Sequence, residues 1–338
     1  MFVDDFLSYS YIYYSYLKAY KGRKKKFDVI FYKYNLENNL IYFRSRLKNF
    51  TYKHGKYKTF VVKDSKKRKI NAPSFEDHIL HHMIFTKLEE VFDKKFIENS
   101  YANRIGKGSH RAVLKLKSKL FSFDYFLKLD IDKYFQSINH KVIYSQINRY
   151  IKDEIFLYYL KLVLDSYYDK FDYVKNIKYG MPIGNITSQI FANIYLHDLD
   201  FYVEHTLKPY FRSLNRDLFY IRYVDDFVFL GKTLEDLKFV RDLVLSFLNI
   251  KLDLKVSHRK QILNKVKFGI SFLGYIIFRN RLKVKNDTLR RFKKKVKKCD
   301  DNKKLNSLIS FKGYCDISNK NLIFSLVRSV YGGDNKII

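Results

Sequence analysis

The stretch FYIRYVDDFVFLG, Phe219 to Gly231, sets two adjacent aspartates in the middle of an otherwise apolar and aromatic run. Two ionised carboxylates about 4 Å apart repel by roughly 4 kcal/mol at an effective dielectric near 20, so a fold that keeps them together must put something cationic beside them. Two readings follow. Asp is common in turns, and FYIRYV and FVFLG read as two strands, so the pair could close an ordinary hairpin. Alternatively, Asp225 and Asp226 hold divalent metal at the hairpin tip, because hard cations such as Mg²⁺ prefer carboxylate oxygens.

Composition narrows the partners. With 338 residues, 47% apolar and 18% aromatic, the chain can bury a large core and is not disordered as a whole. Sixty-six Lys and Arg against 34 Asp and Glu leave a formal charge of +32, which a compact fold tolerates best when a polyanion neutralises it. Nucleic acid is the expected partner, although an AT-rich coding sequence would account for part of the lysine excess. Cys299 and Cys315 are too far apart for a CxxC pair and fit a reducing compartment. The N-terminus, MFVDDFLSYSYIYYSYLKAY, carries acids early and lacks a basic region, so it does not read as a signal peptide. No apolar run reaches the roughly 20 residues that span a bilayer. A soluble, cytoplasmic protein is expected.

Pro and Gly are scarce and no linker or repeat stands out, so one continuous, multi-lobed domain is expected. The first hundred residues read as mostly helical, with a basic cluster KGRKKK at Lys21 to Lys26. A hairpin follows through KTFVVKDSKKRKINAP, where Lys63, Lys67, Arg68 and Lys69 surround a turn. EDHILHHMIFTKLEEVFDKKF is a helical pattern with Leu80, Ile84, Leu88 and Val91 near one face. On it His78, His81 and His82 have zinc-compatible spacing, but no further Cys or His completes a site, so they are expected to be structural or solvent-facing.

In FLKLDIDKYFQSINH, Leu127, Leu129 and Ile131 alternate with Lys128, Asp130 and Asp132, the pattern of a strand with acids on its polar face; Ser137 or Asn139 could cap the next helix. In GMPIGNITSQIFANIYLHDLDFYVEH, Gly180, Pro182 and Gly184 make a tight loop, and Asn185 or Thr187 can cap a long helix. There Gln189, Ala192, Asn193 and Leu196 share one face, suiting either a planar ligand such as a base pair or an internally bonded polar seam. TLEDLKFVRDLVLSFLNIKLDLKVSH reads as a helix then a short strand, and FGISFLGYIIFRNRLKVK as two more strands joined at Arg279 and Asn280. DTLRRFKKKVKKCDD is apolar along Leu289, Phe292, Val296 and Cys299 and basic elsewhere, a helix that could lie along a phosphate backbone with Arg290, Arg291 and Lys294.

The order of these pieces resembles the palm of reverse transcriptases, with agreement from about Lys63 to the C-terminal region. Tyr223-Val224-Asp225-Asp226 looks like the family's metal-binding hairpin, Asp130 like its first-strand carboxylate, and Phe272-Leu273-Gly274-Tyr275 like its primer grip. The resemblance implies an α+β, right-hand polymerase fold: N-terminal helices and fingers over residues 1–125, a palm with an antiparallel sheet over 126–278, and a short basic helical thumb over 279–338. It implies that Asp130, Asp225 and Asp226, with Ile131 beside them, hold two Mg²⁺ ions, with Mn²⁺ as a substitute. One ion would activate the primer 3′ hydroxyl and the other would bind the triphosphate. Lys63 and Arg68, with Arg104, would meet the triphosphate. Phe135 matches the bulky position that excludes a ribose 2′ hydroxyl, implying deoxynucleotides. By motif position Gln189 is a minor-groove contact and Lys260 a general acid, while Tyr223, Leu273 and Gly274 meet primer or template.

Within the family, Ile183 stands where group II intron and retroviral relatives carry the Gln of PQG. IGNITSQ, SFEDHILHH, ENSYANRIGKGSHRA and GISFLGY look similar to reverse transcriptases of diversity-generating retroelements, as does the compact size, without room for RNase H, maturase or endonuclease domains. That resemblance implies copying of a dedicated template RNA, errors at template adenines, a small basic accessory protein as partner, and cDNA that replaces a variable gene region. An apolar Ile183 cannot hydrogen-bond the nascent pair as Gln would, leaving shape to discriminate. Retron and defence-associated reverse transcriptases share the palm and form the alternative. A nucleic-acid-binding scaffold that has lost catalysis is the contrasting class, which the three intact carboxylates disfavour.

Overall fold

The computed structural model describes residues 6–63, 67–257, 261–318 and 321–331. From the N-terminus, α1 (Tyr9–Tyr20), α2 (Phe27–Tyr34) and α3 (Leu36–Lys48) lead to the strands β1 (Lys58–Lys63) and β2 (Lys67–Ala72), then α4 (Phe75–Phe92) and α5 (Ser109–Lys119). Next come β3 (Tyr125–Asp130), α6 (Tyr134–Ser137), α7 (His140–Asn148), α8 (Glu154–Asp165), β4 (Lys170–Asp172), β5 (Ile177–Tyr179) and α9 (Ile186–Tyr195). The chain continues through α10 (His197–Tyr202), α11 (Lys208–Ser213), β6 (Phe219–Tyr223), β7 (Asp226–Gly231) and α12 (Leu234–Leu252). It ends in β8 (Ile262–Lys265), β9 (Ile270–Phe272), β10 (Tyr275–Ile277), β11 (Leu282–Val284), α13 (Asn286–Val296), α14 (Asp301–Asp316) and α15 (Asn321–Tyr331). These elements form two compact units, each drawn from three separated chain segments.

The first unit takes in the chain up to Glu98, Ile131–Glu204 and Val244–Val256. Its centre is α4, capped by Ser74, whose hydroxyl accepts from Asp77 N at 3.1 Å, and packed on α1, α8 and α9. Leu80, Ile84 and Leu88 are buried as their spacing predicts. His78, His81 and His82 are buried too, and none faces solvent. His81 bonds Thr187 Oγ1 through Nδ1 at 2.7 Å and His54 Nε2 through its own Nε2 at 3.0 Å. This contact explains why α9 differs from expectation. Thr187 is spent on His81, and neither it nor Asn185 caps the helix through its side chain. The long helix also ends at Tyr195. Of the proposed ligand face, Ala192, Asn193 and Leu196 are buried and only Gln189 is exposed. Asn139 does cap α7, accepting from Lys141 N at 2.9 Å. Among the described residues between α12 and β8 the expected short strand does not form; Val256 makes a single bridge to Ile131.

The second unit takes in Asn99–Asp130, His205–Leu243 and the chain from Ser257 onward. It holds a four-stranded antiparallel sheet in the order β6-β7-β3-β8 and a three-stranded sheet in the order β11-β10-β9. Alternation in β3 matches its sequence: Leu127 and Leu129 are buried while Lys128 and Asp130 are partly exposed. The core beneath both sheets includes Val113, Leu116, Ile221, Val228, Phe272 and Phe292. Where two strands were expected in FGISFLGYIIFRNRLKVK there are three, because Leu273-Gly274 makes a second tight turn. That antiparallel scaffold positions the paired aspartates.

Candidate active site

The register of β3 against β7 sets Asp130 directly opposite Asp226, and β6 against β7 sets Tyr223 opposite Asp226. Residues opposed in this way have Cβ atoms about 4.5–5.5 Å apart and share one face of the sheet. Val224 and Asp225 form the two-residue turn between β6 and β7. Val224 has φ +55°, a backbone region that β-branched residues avoid, so the turn stores strain. Arg222 opposes it. This fully buried side chain donates from Nη1 to Val224 O at 3.0 Å and brings a guanidinium charge under the acidic turn.

A second cation answers the repulsion between the carboxylates. Lys128 lies diagonally across from Asp226, two register positions along, and its Nζ is 3.0 Å from Asp226 Oδ1 and 3.1 Å from Oδ2. The same ammonium donates to Ser271 O at 2.7 Å. It therefore ties the carboxylate to the β9–β10 hairpin. At that hairpin's turn Leu273 and Gly274 have φ +48° and +88°. Gly274 suits the position because a Cβ there would stand 3.1 Å from Tyr314 Cε1. Its carbonyl accepts from Lys285 N at 2.9 Å, and Leu273 and Tyr223 pack against the same core.

Other expected site residues of this unit fall in two places. Arg104 donates to Ser100 O at 3.1 Å, and Ser100 bridges β6 at Arg222, so its loop is fastened to the aspartate hairpin. Arg290, Arg291 and Lys294 are exposed on α13, whose Phe292 and Val296 are buried. Arg290 pairs with Asp287 at 2.6 Å, and Arg291 Nε donates to Asp287 O at 3.1 Å.

The first unit gathers the remaining ones except Lys260, which lies outside the described residues. Lys63 pairs in register with Lys67 where β1 ends and β2 begins, and Arg68 is exposed on β2. Asn71 N on that strand donates to Ile183 O at 3.2 Å, while Met181 N donates to Phe135 O at 2.8 Å. Gly184, at φ +106°, lies so close to Ile70 that a Cβ would stand 2.8 Å from Ile70 Cγ2. Hairpin, glycine loop and α6 are thus stitched together, with Phe135 and Ile183 half-buried and Gln189 exposed. Ile131 is buried, leaving its backbone carbonyl as the atom able to serve a cation.

The donor chemistry at Asp130, Asp225 and Asp226 fits a hard divalent cation, because all three offer carboxylate oxygens and are only partly buried. Among the described residues, however, no three His, Cys, Asp or Glu side chains converge into a ready-made cage. Sequence reasoning gave no role to Lys128 or Arg222. A cation two places before Asp130 in LysLeuAsp, and three places before Asp225 in ArgTyrValAsp, was the available signal.

Residues 53–277 match the family model described as reverse transcriptase (RNA-dependent DNA polymerase). Among curated proteins, the group II intron-encoded protein LtrA of Lactococcus lactis subsp. cremoris is 26% identical over 271 residues, 64% of this chain and 45% of the relative. The putative COX1/OXI3 intron 2 protein of Saccharomyces cerevisiae is 24% identical over 257 residues, 62% of this chain and 30% of the relative. Protein YkfC of Escherichia coli is 24% identical over 247 residues, 64% of this chain and 65% of the relative. The chain spans about half the length, or less, of the first two. Among solved structures, apo telomerase from Candida tropicalis aligns with TM-score 0.50 at 14% identity, over 69% of this chain and 50% of that one. Telomerase from Candida albicans with a fragment of telomeric RNA aligns with TM-score 0.50 at 13% identity, over 88% and 61%. At such identity the likeness speaks for the right-hand polymerase fold alone.

Proposed function

The chain belongs to the reverse transcriptase (RNA-dependent DNA polymerase) family, and on that premise we propose that it copies an RNA template into DNA by nucleotidyl transfer at Asp130, Asp225 and Asp226. The carrying observation is the register that opposes Asp130 to Asp226, with Asp225 in the adjoining strained turn. Two Mg²⁺ ions, when bound there, would supply an activated primer 3′ hydroxyl and charge neutralisation at the triphosphate. The chain's own residues do the positioning. Arg222 holds the turn by its Val224 carbonyl, and Lys128 balances Asp226 and links it to the Leu273–Gly274 turn, where a primer end would be gripped. By the family resemblance Lys63, Arg68 and Arg104 would be the cations for the triphosphate, and Arg290, Arg291 and Lys294 would follow the duplex backbone. Phe135 excludes the ribose 2′ hydroxyl.

The subtype is read from the loop before α9. With Ile183 half-buried on a loop tied to Asn71, the nascent pair would meet an apolar side chain rather than an amide. Shape then selects the nucleotide, and fidelity is low. Together with IGNITSQ this supports a diversity-generating role: a dedicated template RNA, errors at template adenines, and a small basic accessory protein as partner. Primer extension on RNA with Mg²⁺ and dNTPs, followed by sequencing of the cDNA, tests the reading. Errors concentrated opposite template adenines are expected, with no product from Asp225→Asn/Asp226→Asn. Accurate cDNA, or untemplated homopolymer, would move the chain to the retron or defence-associated alternative.

A further inference from the structure

The basic cluster KGRKKK and the helix it opens onto take no part in the chemistry above. On α2 the side chains Phe27, Ile30, Phe31 and Tyr34 follow one stripe at i, i+3, i+4 and i+7, yet they are 82%, 53%, 73% and 93% exposed. The opposite side of the helix holds it to the core, through the buried Val29 and through Tyr32, whose ring packs on Phe75 and Tyr16. Four large apolar side chains aligned on one helix face cost solvation free energy unless something covers them. The charge beside them says what. Lys21, Lys24, Lys25, Lys26 and Lys33 are all exposed around this stripe, and Asp28 is the sole acid between Lys21 and Lys33. Lys26 is the helix N-cap without a side-chain cap bond, and cations at that end act against the helix dipole, so the cluster does not serve helix stability.

We propose that α2 and the Lys21–Lys26 segment form a docking surface for unpaired, single-stranded RNA, with bases stacked on Phe27, Phe31 and Tyr34 and phosphates held by the lysines. Rings at this helical spacing stand about 5–6 Å apart at Cβ, and every base offers a face to stack on, which makes the surface tolerant of sequence. The choice of RNA over DNA rests on the template reading above; the surface itself does not depend on the carboxylates. It would hold an unpaired part of the template RNA outside the copied duplex.

The test uses full-length protein carrying Asp225→Asn, so that RNA binding is read without catalysis. Anisotropy titrations with an unstructured RNA of about 20 nucleotides, a DNA of the same sequence and an RNA duplex compare three variants. Phe27→Ser/Phe31→Ser/Tyr34→Ser should weaken single-stranded RNA binding at least ten-fold and leave duplex binding unchanged, while Phe27→Tyr/Phe31→Tyr should retain affinity. Replacing Lys21, Lys24, Lys25 and Lys26 by Gln should flatten the slope of log K against log salt by up to about 3, at about 0.7 per neutralised phosphate. Thiouridine crosslinks should map to α2. Unchanged RNA affinity in the serine variant would overturn the proposal. So would an effect on the DNA alone, or an effect confined to anionic vesicles or to self-association. In the Asp225 wild-type background the serine variant should extend a short pre-annealed primer normally, so failure here and failure of the polymerase reading are separable.

Discussion

At the residue scale the site is a problem of charge. Asp130, Asp225 and Asp226 share one sheet end, and the chain offsets their repulsion with the buried Arg222 and with Lys128. Lys128 is thereby a competitor for any cation that needs Asp226. Lys128→Met should tighten Mn²⁺ binding on the order of five-fold, equivalent to about 1 kcal/mol, read by electron paramagnetic resonance of the free ion. It should also slow extension, because Asp226 loses its brace. Unaltered Mn²⁺ affinity would show that the pair does not gate the site. Arg222→Met removes the donor to Val224 O in a fully buried position and should cost about 1–3 kcal/mol in urea unfolding. The aspartates were legible in the sequence because charge inside an apolar run is conspicuous. The roles of Lys128 and Arg222 were not, since one depends on a carbonyl at Ser271 and the other on the backbone of a turn.

At the scale of elements, the strands and turns that carry the site were readable and the polar interiors were not. Period-two alternation marked β3, and the hairpins β1–β2 and β6–β7 lie where the sequence placed them. The cap of α9 was misread because His81, on α4, claims Thr187 across more than a hundred residues of sequence. A helix wheel cannot show that partner. The same interface has a consequence with pH. Burial, reinforced by His54, holds the pKa of His81 well below its usual value, and burial lowers His78 to about 3 and His82 to about 4. The unfolded chain protonates these rings near pH 6.5 while the folded chain does not, so stability is retained above that pH. It falls as pH drops toward 4. Each ring contributes up to about 1.4 kcal/mol per pH unit in that window. Urea unfolding between pH 7 and 5 should show the decline, and His81→Gln should reduce its slope by one such increment. A slope indifferent to His81 would place the proton uptake elsewhere.

At the scale of the whole molecule, two features govern behaviour: interleaved chain segments and net charge. Each unit is assembled from three stretches of sequence, an arrangement that local patterns do not reveal, whereas the +32 charge was plain from composition. The charge predicts that affinity for nucleic acid falls by about 10³ or more between 50 and 200 mM salt if six or more phosphates are met. A shallow salt dependence would mean that the lysines serve solubility instead. The central claim is that the three aspartates carry nucleotidyl transfer, and single-turnover incorporation of one dNTP on an RNA template tests it most directly. The account predicts Mg²⁺-dependent extension by the wild type and a rate at least about 10³-fold lower for Asp225→Asn, with RNA affinity and fold retained. Extension by Asp225→Asn at the wild-type rate would contradict it.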